Sequence, residues 1–182
     1  MEQLTPMMQQ YMETKNEYKD CILFYRLGDF YEMFFDDAIC AHKELELTLT
    51  GKSCGLKERA PMCGVPFHSA ETYINRLVER GYKVAICEQV EDPKLAKGLV
   101  KREVTRIVTP GTNCFTGSLD ETRNNYLMGI VSVDHSFGIS IVDVTTGEYM
   151  LTEVESVSKL LDEVNKFMPA ELICNDSFYI SG

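Results

Sequence analysis

Residues 21–35 read Cys21-Ile22-Leu23-Phe24-Tyr25-Arg26-Leu27-Gly28-Asp29-Phe30-Tyr31-Glu32-Met33-Phe34-Phe35. The first seven are apolar and rich in strand formers, with one arginine among them. Gly28-Asp29 interrupts the run, and five of the last six residues are again apolar. The stretch reads as a strand-forming apolar run that Gly28-Asp29 interrupts and that then resumes. Residues two apart on an extended chain share a face, so Phe30 and Glu32 project together while Tyr31 and Met33 face the other way. Gly28 permits a bulge or a close backbone approach to a ligand. Periodicity by itself places Phe30 in the core and Glu32 in solvent. An aromatic beside a carboxylate at a strand end is nevertheless an unusual pair.

Upstream, Thr5-Pro6 opens a helix, with Thr as N-cap and Pro at the first helical position. Met8, Tyr11 and Met12 mark its inner face. Downstream, Asp36 and Asp37 are N-cap candidates for a helix over 38–46. Residues 47–50 suggest a short strand, and residues 51–60, GKSCGLKERA, a loop with two glycines and three cations. Ser69 is placed to cap a third helix, with Glu71 in its first turn, Gly81 past its end and an apolar stripe of Tyr73, Ile74, Leu77 and Val78. Strands follow at 83–89 and 103–109. Alternating strands and helices predict an α/β unit, a mixed sheet flanked by helices.

Residues 113–125 turn to Thr, Asn, Gly, Ser and Asp, a linker composition. Three strands then follow closely, at 126–134, 137–144 and 148–152, with tight turns at His135-Ser136 and Thr146-Gly147. Ser156 caps a helix whose period is set by Leu160, Leu161, Val164, Phe167 and Met168, and Pro169 ends it. A strand begins at Glu171. Three strands, one helix and a strand fragment leave a sheet half covered, so this second unit reads as truncated.

The 182 residues are 45% apolar and 25% charged, a globular mix. No apolar run approaches the roughly 18 residues a membrane span needs. The N-terminus has no signal-peptide pattern. Seven cysteines without a C-x-x-C pair fit free thiols in a reducing cytoplasm. The net charge of −10 argues against nucleic acid, but the average misleads. Residues 1–112 hold 15 Lys/Arg against 17 Asp/Glu, a net of −2, whereas residues 113–182 hold 3 against 11, a net of −8. Lys94, Lys97, Lys101, Arg102 and Arg106 face a single acid, Glu103, within one short stretch. His42, His68 and His135 lack metal-ligand spacing, and no phosphate-loop, dinucleotide or nucleophile-elbow motif occurs. No catalytic residue or metal ligand is assigned.

Four blocks, TPMMQQYMETKNEY from Thr5, LFYRLGDFYEMFFDDA from Leu23, APMCGVPFHSAETYINRLVERGYKVAICEQVEDP from Ala60 and REVTRIVTPGT from Arg102, resemble in order the N-terminus of the MutS family of bacterial DNA mismatch-recognition proteins. The resemblance implies a mismatch-recognition domain over 1–112, a linker over 113–125 and an incomplete connector domain over 126–182. The connector would carry the first strands and helix of a ribonuclease-H-like fold. Phe30-Tyr31-Glu32 matches the family's Phe-x-Glu signature. It implies that Phe30 wedges into the minor groove and stacks on a mispaired base, while Glu32 hydrogen-bonds that base. Lys52, Lys57, Arg59 and Arg102 become candidates for the phosphate backbone.

The same resemblance implies mismatched or looped double-stranded DNA as ligand, a homodimer, and docking of the downstream protein MutL through the connector. It places the protein in the bacterial cytoplasm at the nucleoid. ATP and magnesium are expected only in an ATPase domain outside this stretch, so the chain itself is expected to have no enzymatic activity. Two other readings follow from the second unit. Asp134, Asp143 and Glu148 on its early strands would suit a metal-dependent nuclease. Its −8 charge would suit a protein-docking module.

Overall fold

The computed structural model describes residues 3–91, 98–115 and 124–181. Lys94 and Lys97 of the basic stretch, and residues 116–123 of the expected linker, lie outside the described residues. The chain separates into two compact units, 1–108 and 109–182.

The first unit opens with helix α1, Pro6–Glu17, and strands β1, Cys21–Leu27, and β2, Phe30–Phe34. Helix α2 spans Phe35–Leu45, β3 Thr50–Lys52 and β4 Ala60–Pro66. A 3-10 turn over Phe67–Ser69 leads into α3, Ala70–Val78. Strands β5, Lys83–Gln89, and β6, Arg102–Val108, complete a six-stranded sheet in the order β3-β4-β2-β1-β5-β6. Only β1 and β5 run parallel; the other pairs are antiparallel, so the sheet is mixed.

Apolar side chains fill both faces of this sheet. On one, Met8 and Tyr11 of α1 pack on Leu23, Tyr25 and Phe34. The Tyr11 ring meets Tyr25 and Phe34 edge-on, with centroids 5.3 and 4.8 Å away, the geometry the ring quadrupoles favour. The alternating residues, Ile22, Phe24 and Met33, are buried on the other face, as are Ile74, Leu77 and Val78 of α3.

The expected elements shift at three places. Helix α2 begins at Phe35, with Phe34 at the N-cap, not at residue 38 behind an Asp cap. Asp37 has a stronger use: it accepts from the Leu23 amide at 2.9 Å and pairs with Lys15 at 2.9 Å. The expected strand over 47–50 lies instead at 50–52, where β4 offers its open edge. Ser69 donates its hydroxyl to the Pro66 carbonyl at 3.2 Å and does not cap α3. Strand β4 itself is unannounced by the sequence, since Pro61, Gly64 and Pro66 read as punctuation.

The second unit contains β7, Tyr126–Val133, β8, Ser136–Asp143, and β9, Glu148–Val154, a meander joined by tight turns. Helix α4, Val157–Phe167, follows. Its cap, Ser156, accepts from the Lys159 amide at 3.3 Å, and Met168 in the left-handed conformation ends it before Pro169. Strand β10, Glu171–Cys174, returns parallel to β7, giving the order β10-β7-β8-β9, and a short helix α5 runs over Asp176–Ser181.

The unit boundary falls after Val108, four residues before the expected one. Thr109 Oγ1 and the Gly111 amide both donate to Glu171 Oε2, at 2.5 and 2.9 Å. A Cβ on Gly111 would sit 2.9 Å from Glu171 Cβ and 3.0 Å from Leu127 Cβ, so this turn lies flat on β7 and β10 only as glycine.

One face of the second sheet buries Met128, Ile130, Ile139 and Ile141 under Leu160 of α4. On the strands' alternate positions Val133, Tyr149 and Leu151 are at least 60% exposed. Amide exchange should therefore be faster in 126–174 than in 21–108, because opening the second unit uncovers less apolar surface. Equal protection of the two units would show that this face is closed in solution.

Candidate nucleic-acid interface

The β1–β2 hairpin is the tightest available. Leu27 pairs with Phe30, leaving Gly28 and Asp29 as the turn. Gly28 has φ +58°, a conformation that hairpin turns reserve for glycine. A Cβ there would meet nothing within 4 Å, so backbone freedom, not space or a bulge, calls for Gly.

The turn delivers Phe30 to the end of β2, where the residue is 48% exposed. That overturns periodicity, which placed it in the core. Phe34, on the same face of the strand, is buried against α1. Phe30 lies beyond the part of the sheet that α1 covers, so the pleat continues while the cover does not.

Glu32 reverses the other expectation. Its side chain keeps only 17% of its surface in solvent, and Lys52 Nζ on β3 donates to its Oε2 at 2.5 Å. Gly64 of β4 lies directly opposite Glu32. A Cβ on Gly64 would come within 3.2 Å of the Tyr31 carbonyl and 3.5 Å of Glu32 Cγ. The bare glycine leaves room for the carboxylate to lean toward Lys52. Lys52 Nζ also stands 5.6 Å from the Phe34 ring. Phe30, Glu32, Thr50, Met62 and Gly64 line an open recess of about 330 Å³.

The four candidate cations therefore separate. Lys57 and Arg59 lie exposed in the 53–59 loop. Lys52 is engaged with Glu32. Arg102 is a correction: it is buried, its Nε donates to the Arg26 carbonyl at 2.7 Å, and its Nη1 donates to Val100 O and Gln10 Oε1 at 2.9 and 3.1 Å. Its guanidinium also lies over Tyr25 at 5.2 Å. A planar, five-donor head suits such internal cross-linking: three of its five N–H donors are spent on Arg26, Val100 and Gln10, which makes Arg102 a structural tie first.

Sequence reasoning passed over the back of the hairpin. Tyr31 points away from Phe30 and its hydroxyl donates to Glu88 on β5. Burial first, and then this bond, push the Tyr31 hydroxyl up to about 12, so it remains a donor at neutral pH. Arg26 lies beside it, 3.8 Å over the Phe67 ring. An arginine inside an apolar strand was the available signal.

The three carboxylates of the nuclease reading do not assemble: Asp134 lies in the β7–β8 turn, at the opposite end of β8 from Asp143. Asp143 and Glu148 face each other across β8 and β9. Burial would raise Asp143, but donors outweigh it: the Thr145 amide and hydroxyl, at 2.8 and 2.6 Å, with the Asn125 and Thr146 amides, hold it below the usual carboxylate range. Glu148 accepts from Tyr126 and Asn124. Among the described residues no three His, Cys, Asp or Glu converge as for a metal ion, and no helix is long and apolar enough to cross a membrane.

Residues 5–115 match MutS domain I and residues 125–181 match MutS domain II. The chain is 70% identical over its whole length to the DNA mismatch repair protein MutS of Lachnoclostridium phytofermentans, covering 20% of that protein. It is 63% identical, over 98% of its length, to the protein of the same name from Acetivibrio thermocellus, covering 21% of it. With the Clostridioides difficile protein it shares 57% identity over 99% of its length, and 19% of that protein is covered. It thus spans about one fifth of the length of these relatives. With a Phe-x-Glu hairpin on a mixed sheet and both domain matches in order along it, the chain belongs to the MutS family.

Proposed function

We propose that the first unit recognises mispaired or looped-out bases in double-stranded DNA, as part of mismatch repair. The observation that carries this is a half-exposed Phe30 standing two residues from Glu32 on a sheet whose central strand β1 is packed on both faces. Leaving half an aromatic in water forgoes part of the roughly 1.5–3 kcal/mol that burial would provide. Stacking on a base returns about 1–3 kcal/mol. Inserting between base pairs costs a few kcal/mol, and less where pairing is already broken. The wedge therefore finds mismatches by their deformability, which suits many different mispairs. Glu32 accepts a hydrogen bond from the intruded base. Lys57 and Arg59 hold phosphates, and Lys52 joins them once Glu32 turns to the base.

The same reading makes the second unit the start of a ribonuclease-H-like connector. Its order β10-β7-β8-β9, with only β10 parallel to β7, supports that topology. Homodimerisation, docking of MutL through the connector and an ATPase using ATP and magnesium belong to the proposal for the whole protein, as does a site at the bacterial nucleoid.

A photo-crosslinking phenylalanine analogue at position 30 of the full-length protein tests the wedge. It should crosslink to the mispaired base of a mismatched duplex and hardly at all to the matched control. Crosslinks distributed along both duplexes would sink the assignment.

Residues 1–182 alone should bind DNA weakly and discriminate poorly. Two phosphate contacts on matched DNA, and three where Lys52 joins them, give log–log salt slopes of only about −1.8 and −2.7, at roughly 0.9 per contact. Titration of both duplexes at two salt concentrations checks this; tight, salt-insensitive, selective binding would contradict it.

A further inference from the structure

We propose that Arg26 is a positioning residue for Phe30: with Phe67 it forms a latch that holds both carbonyls of the β1–β2 turn. The inference rests on the reading of Phe30 as the wedge.

The turn has two residues and two carbonyls. Arg26 Nε donates to the Gly28 carbonyl at 2.5 Å, and the Phe67 backbone amide donates to the Asp29 carbonyl at 2.9 Å. The two clamps are one unit, because the Arg26 guanidinium lies 3.8 Å over the Phe67 ring. Its Nη1 stands 3.7 Å from Glu88 Oε2, and Glu88 also accepts from Tyr31. The latch is thus tied to β5, the parallel neighbour of β1, and only 17% of the Arg26 side chain is exposed.

Arg26 pairs across the hairpin with Tyr31, on the sheet face opposite Phe30 and Glu32. It stands behind the wedge and not beside it, so its action runs through the backbone. The chain enters Phe30 directly from the clamped Asp29. A clamped turn presents the ring in one direction, and the binding free energy is not spent on ordering it. Lysine cannot substitute. It has no planar head to stack on Phe67 and no Nε–H to direct at the Gly28 carbonyl while pairing with Glu88.

The test is Arg26→Lys in the full-length protein, with Phe67→Leu as a second variant that leaves every charge in place. A duplex carrying 2-aminopurine beside the mismatch reports unstacking by its fluorescence. Both variants should keep matched-duplex affinity within about twofold and lose about three- to tenfold of mismatch selectivity. Both should also lose much of the fluorescence rise. The double variant should be no worse than either single one, since one latch is broken in each case. Native selectivity and fluorescence in Arg26→Lys would overturn the proposal. Equal weakening of both duplexes would also overturn it, by making Arg26 a phosphate contact. Phe30→Ala is run in parallel. If it retains selectivity, the wedge reading fails and the latch with it; if it loses selectivity while Arg26→Lys and Phe67→Leu do not, the latch alone fails.

Discussion

Phe30→Ala in the full-length protein is expected to lower mismatch-over-matched selectivity by roughly ten- to a hundredfold. The substitution removes about 1–3 kcal/mol of stacking on the intruded base, and about 1.4 kcal/mol is tenfold in affinity. Matched DNA is hardly kinked, so its dissociation constant should stay nearly constant. The fold should also tolerate the change. Phe30 is half exposed at the end of β2, so truncating it opens no cavity of the kind that makes core substitutions costly. Leu27→Ala is the control: Leu27 packs against the buried cluster beneath α1, and its loss should lower the melting temperature and weaken both duplexes together. Equal weakening of both duplexes by Phe30→Ala, or loss of the fold, would return Phe30 to the core and remove the wedge.

Glu32→Ala should act with the opposite sign on matched DNA. Glu32 does not stand alone; Lys52 neutralises it at 2.5 Å. Removing the carboxylate deletes a negative charge among phosphates and releases a cation at the same time. Matched-duplex affinity should rise, and the salt slope should steepen by about 0.9, one additional phosphate contact. Selectivity falls because the bond to the base is lost and non-specific binding is stronger. Adding Lys52→Met to Glu32→Ala should return the slope to the parental value. A slope that stays steep in the double variant would show that some other cation was released. The pair itself contributes little to folding, since partly exposed ion pairs are worth about 0–1 kcal/mol.

The strand character of residues 21–35 was legible because its signals are local; the reversal of the chain at Gly28-Asp29 was not. The apolar runs 21–27 and 30–35 read as extended chain without reference to the rest of the molecule, whereas the Gly28-Asp29 break read as an interruption or bulge, and only the pairing of Leu27 with Phe30 makes it a turn. Strand β4 was not legible, because Pro61, Gly64 and Pro66 carry turn propensity that pairing with β2 and β3 overrides. The Asp36-Asp37 doublet looked like a cap, and a long-range demand decided otherwise: the Leu23 amide on another strand needs an acceptor. The site divides in the same way. The pleat placed Phe30 and Glu32 on one face correctly. Their exposures came out reversed, since exposure depends on where α1 stops and where Lys52 arrives, both set by chain distant in sequence. Arg102 shows the converse. A cation in a basic stretch reads as a phosphate contact until Gln10, Arg26 and Val100 are seen to take three of its five donors.

Phe30 and Tyr31 are adjacent aromatics with opposite environments, one at the open rim and one bonded to Glu88 behind the sheet. What distinguishes them is not chemistry but parity, odd or even along a strand whose period is two. Deleting Met33 while keeping Phe34's place under Tyr11 would exchange the faces they occupy. A phenol would then take Glu32's place, a phenyl ring would face Glu88 with no hydroxyl to offer, and the carboxylate would move off the recess. Deletions in the 53–59 loop leave that count untouched. The hairpin is thus a stretch where length is as strictly specified as residue identity, and frame, not composition, is what a change there would corrupt.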